Sequence, residues 1–167
     1  MPFALILFGT ALLGALYGGL RDGLLWLTCP EYFTTPAGEA VGADLAVAFG
    51  AATFGTFGLM LGLGLACAAR LGRRPKRGLR DLLRPILFLL AVVAGFSLLA
   101  GIVGAVLTHF GVVVIPPEMR ERFPMGQWGG LQFCWFTHVM GNYVGFPAGG
   151  VQVVWVWASR ARLKTRP

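Results

Sequence analysis

Charge is what this sequence has least of. Only 13% of its 167 residues are Asp, Glu, Lys or Arg, against about 25% in an ordinary soluble domain. A solvated surface cannot be built from so little charge, so a soluble globular protein is excluded. There are three cysteines and two histidines. No paired CxxC, HExxH, glycine-rich phosphate loop after a strand, or nucleophile with its base appears. These absences exclude the common zinc, nucleotide and triad chemistries, so the chain reads as no enzyme and as needing no cofactor or metal.

What is present is apolar. Residues of the AVILMFWYC set make up 56%, and the mean hydropathy is +0.72. Four long uncharged runs occupy about residues 2–20, 45–69, 85–110 and 130–156. Each is close to or above the roughly 20 residues that cross a hydrocarbon core. The expected fold is all-α: a polytopic membrane protein built as one bundle of four transmembrane helices. The N-terminal run has no basic flank and no A-x-A site, so it reads as a retained helix rather than a signal peptide.

The net charge of +7 does not point to nucleic acid, because it is not spread over a soluble face. Eleven of the 14 basic residues lie in residues 70–84 and 160–166. Cytoplasmic loops carry such clusters. Both termini and the basic hairpin are therefore expected in the cytoplasm. The outer segments hold Arg21, Arg120 and Arg122 with six of the seven acids. The expected surroundings are the lipid bilayer, with acidic headgroups drawn to the basic clusters.

Small residues recur every four positions. Gly14 and Gly18 mark the first helix; Gly42, Ala46, Gly50, Gly58, Gly62 and Ala66 mark the second; Ser97, Gly101 and Ala105 mark the third. Such faces let helix backbones approach closely. They serve packing within the bundle, or contact with other subunits or a second copy; a glycine-lined conduction path is the competing reading.

Between the first two runs, residues 21–40 suit the membrane interface. Thr28 and Glu31 have the spacing of a capping box for a short helical turn, and Thr35-Pro36 suits the start of the second helix. Pro30, Glu31, Tyr32 and Phe33 form a candidate interaction loop, set against the plainer roles of cap for Glu31 and interfacial anchor for Tyr32. Pro85 suits the first turn of the third helix, and residues 117–123 one or two turns in the second outer loop.

Candidate polar chemistry falls in the last helix. His138 and Asn142 are four apart and so share a face. Pro147 removes the hydrogen bond to the Tyr143 carbonyl, so an opening is expected there. His138, Asn142 and Tyr143 form the candidate polar site, either an interhelical hydrogen bond or a place for a ligand or proton. A bis-histidine haem is excluded by depth: His109 ends the third helix, while His138 lies about 12 Å into the fourth. Cys29 and Cys134 both fall near the outer face, where either free thiols or a disulfide is compatible with the spacing.

Tyr17-Gly18-Gly19-Leu20-Arg21-Asp22, then Cys29-Pro30-Glu31-Tyr32-Phe33-Thr34 and later Asn142-Tyr143-Val144-Gly145, resemble motifs of a family of uncharacterised bacterial integral membrane proteins. In that family a Y-G-x-x-H-D segment precedes S-P-E-Y-F-T. Here Arg21 stands for the His and Cys29 for the Ser. The resemblance implies four helices in a bacterial inner membrane and no assigned activity. The expected function is a non-catalytic structural or interaction component of a membrane assembly. A small transporter or channel built on His138 and Asn142 near Pro147 is the alternative; against it, no carboxylate is expected at the centre of any span.

Overall fold

The computed structural model describes residues 2–34 and 39–162. All of its regular elements are helices: α1 (Pro2–Thr28), α2 (Ala43–Arg70), α3 (Leu79–His109), the short α4 (Pro117–Arg122) and α5 (Trp128–Arg162). Among the described residues there is no strand, only an isolated bridge between Thr34 and Ala40. Three helices, α1, α2 and α3, are long and apolar enough to cross a membrane.

The helices pack as two intimate pairs, α1 with α2 and α3 with α5, joined mainly through α2 and α5. Glycine makes the first pair close. A Cβ on Gly58 would lie 2.6 Å from the Thr10 carbonyl oxygen, and one on Gly62 would lie 2.7 Å from that of Leu7. Gly14 and Gly18 of α1 abut the backbone of Phe54 and Gly50 in the same way. The expected small face of α2 is thus buried from Ala46 to Ala66. Gly42 is not part of it, because it is the residue that caps the helix. On α3 the buried stripe is Ser97, Gly101 and Gly104 rather than Ala105, with Gly101 against Phe133 and Thr137, and Gly104 against Phe136.

Several boundaries differ from the sequence reading. α1 does not stop at Leu20 but runs on through Arg21 and Asp22 to Thr28. Thr28 therefore opens no capping box: its hydroxyl donates back to the Leu24 carbonyl at 2.9 Å, and the 3-10 turn Pro30–Tyr32 that follows has Cys29 at its cap. The Thr35-Pro36 start of the second helix lies outside the described residues. α3 begins six residues before Pro85, at Leu79, because the Asp81 carboxylate accepts from the Gly78 N–H at 2.8 Å and holds that end. α5 runs unbroken through Pro147; one missing backbone bond is small beside the packing that holds both halves of the helix.

The end of the molecule bearing the basic hairpin is closed by Arg160. Beyond its expected place in a basic cluster, this side chain is wholly buried. Nε donates to the Pro75 carbonyl at 2.7 Å, Nη2 to Arg74 at 2.9 Å and Nη1 to Leu71 at 3.0 Å, with a further bond to Ala68. The guanidinium fork thus collects carbonyls from the last turn and cap of α2 (Ala68 and Leu71), which the helix itself cannot satisfy, and from the hairpin that follows (Arg74 and Pro75). Beside it, Ile6, Leu65, Ala66, Leu82, Ile86 and Val156 form the main apolar core.

Candidate functional site: a buried ion cluster under a loop cap

The site is built where α1 outlasts its expected length. At the extended end of α1, Arg21 and Asp22 are buried, 8% and 4% exposed. A lone charge in such surroundings is costly unless paired. Asp22 Oδ1 accepts from Arg21 Nε at 2.7 Å and lies 3.1 Å from His138 Nε2 on α5. One carboxylate oxygen thus sits between a guanidinium and an imidazole drawn from opposite ends of the chain. The other ring nitrogen, His138 Nδ1, is 3.1 Å from the Cys134 carbonyl. Both ring nitrogens thus face oxygens.

Aromatic rings enclose the cluster. Arg21 lies over the Phe54 ring, 4.3 Å from its centroid. Tyr32 stacks on the His138 ring at 5.2 Å and 18°, and Phe33 meets it at a steeper angle. Tyr32 and Phe33 of the candidate loop are thereby turned inward as a cap, while Pro30 stays exposed. Glu31 accepts from Gln127 Nε2 at 2.9 Å and lies 3.5 Å from the Cys29 thiol, so the segment after α1 is tied to the one before α5. Val41 N–H donates to the Phe33 carbonyl, and Trp26 Nε1 donates to the Val41 carbonyl at 2.8 Å. Burial pushes the Tyr32 phenol up to about 12.

Cys29 and Cys134 share one buried cluster with Leu25 and Leu131, and both are free thiols. A hydrogen bond with the Cys134 thiol holds the Cys29 thiol below its ordinary value, against the opposing effect of burial. His109 is exposed at the end of α3, against Phe110.

The expected polar site is split. His138 turns inward, but Asn142 is exposed and Tyr143 is 74% exposed. The reason is helical phase. The inner stripe of α5 passes from Cys134 through His138 to Gly141 and Gly145, so a step of four from His138 rotates past the interface while a step of three stays on it. Asn142 and Tyr143 are thereby removed from the site, and Arg21 and Asp22 take their place. The sequence reading left these two in an interfacial segment. The available signal was their adjacency to Tyr17-Gly18, an unbroken helical continuation of the first run.

Beside the cluster, a cleft of about 530 Å³ opens between α1, α3 and α5. Its edge is formed by exposed leucines such as Leu20, Leu24 and Leu98. Tyr17, Arg21 and Ser97 line its inner wall. Comparison with protein-family models, with curated proteins and with solved structures gives no match to this chain.

Proposed function

We propose that the chain is a four-span protein of a bacterial inner membrane, with both termini cytoplasmic, acting without catalysis as an interaction component of a membrane assembly. The observation that carries the fourth span is the outer face of α5. Phe146, Val151, Val154, Trp155 and Trp157 are all exposed there, a surface suited to acyl chains and to no aqueous solvent. At 35 residues, α5 is about 52 Å long, enough to cross with tilt. Bacterial origin rests on the resemblance of residues 17–22 and 29–34 described above. The capped ion cluster fastens the outer segments to the bundle and fixes the surface they present.

A carrier is the second reading, and one observation favours it: Asp22 is a buried carboxylate facing His138 across the bundle, though it sits near the end of α1 and leaves the centre of the span without one. The apolar core beside Arg160 favours the first reading, because aliphatic side chains fill the bundle at the basic end. Purification in mild detergent after cross-linking in the membrane separates the two. A membrane protein recovered in fixed ratio to the chain supports the interaction reading. Proton-driven uptake by proteoliposomes that is lost in Asp22→Asn replaces it with the carrier.

A further inference from the structure

The cleft beside the ion cluster is apolar at its mouth and has an unsatisfied cation on its wall. Arg21 is more than nine-tenths buried, yet its Nη1 has no hydrogen-bond partner. The buried hydroxyls of Tyr17 and Ser97 also lack one, and Ser97 Oγ and Arg21 Nη1 both lie against Gly141. A buried unpaired donor is destabilising, and more so on a charged group. The wall therefore asks for an oxygen acceptor.

The guanidinium specifies that acceptor further. Asp22 Oδ1 is taken up by Arg21 Nε and His138 Nε2, which leaves Arg21 Nη1 without an oxygen of its own. An anionic oxygen makes the stronger, charge-assisted bond to a guanidinium and can match its planar fork. The size of the cleft is that of a small-molecule site, within the usual range of about 300–1,000 Å³, and leucines line the way out of it.

We propose that this cleft binds a long-chain carboxylate, a fatty acid that enters sideways from the bilayer. Its carboxylate accepts from Arg21 Nη1 and the Tyr17–Ser97 hydroxyl pair, and its tail leaves along Leu20, Leu24 and Leu98. A carboxylate offers about four acceptor positions, enough for these donors. The inference rests on the membrane reading of the chain, but not on either proposed activity.

The test uses the full chain in phosphatidylcholine nanodiscs with radiolabelled oleate. One saturable site is expected, with methyl oleate failing to compete. Arg21→Gln should weaken binding tenfold or more. Ala94→Phe, which fills the cleft from α3 and leaves the Arg21–Asp22 pair intact, should abolish it, and it decides the matter if Arg21→Gln does not fold. Methyl oleate competing as well as oleate would overturn the proposal, as would unchanged binding in folded Ala94→Phe. Displacement of oleate by an equal concentration of phosphatidylglycerol would overturn it in favour of a phospholipid. A failed membrane reading shows differently, as protein that does not enter nanodiscs.

Discussion

Asp22 is the residue on which the half of the bundle away from the basic hairpin turns. It pairs with Arg21 and faces His138 Nε2, so its loss leaves Arg21 buried without a counter-charge. Breaking a buried pair by removing one partner costs about 3–5 kcal/mol. Asp22→Asn is expected to lower stability by that order in thermal unfolding, whereas replacing Arg21 and Asp22 together by apolar residues should recover much of the loss. Asn142→Ala should change nothing measurable, since Asn142 is exposed; equal losses from Asn142→Ala and Asp22→Asn would refute the assignment. Tyr32 adds a pH dependence. Its phenol is raised from 10.0 to about 12 by burial, so the folded state disfavours phenolate. The stabilisation is fully present below pH 10.0 and is lost as pH rises from there through about 12. Unfolding followed against alkaline pH should show this slope in the wild type and lose it in Tyr32→Phe. None of this was readable locally. His138 lies far along the chain from Asp22, and an Arg-Asp pair by itself looks like the polar flank where a span ends.

At the scale of the element, most of the helical content was legible, because long uncharged runs and four-spaced glycines state it directly. Helix ends were less so. α1 continues past Leu20 since Arg21 and Asp22 pair with each other and with His138 inside the bundle, and α3 starts before Pro85 since the Asp81 carboxylate accepts from Gly78 N–H. The phase of α5 was misjudged for a simple reason: i and i+4 share a face only loosely, and packing selected Gly141 over Asn142. The packed face of α2 was legible, and it yields a prediction. In Gly58→Leu the new side chain must enter where even a Cβ would be 3.0 Å from the Ala11 Cα. Overpacking of this kind costs about 1–3 kcal/mol. Thr56→Leu, at an exposed position of the same helix, should be close to neutral. Indistinguishable melting of the two variants would show that the α1–α2 contact does not need glycine.

For the whole molecule, two helix pairs are closed at opposite ends by different chemistry. Arg160 gathers backbone carbonyls at the end bearing the basic hairpin, and a carboxylate held between Arg21 and His138 lies under the cap at the other. The candidate site belongs to this scale, because its parts come from α1, α3, α5 and the cap together, which no single segment reveals. The orientation of that arrangement in a bilayer is the central claim, and its motive is the concentration of basic residues in residues 70–84 and 160–166. Reporter fusions at Gly78, at Pro124 and after Pro167 measure it most directly. The account predicts cytoplasmic, external and cytoplasmic signals in that order; an external Gly78, or a cytoplasmic Pro124, would contradict it.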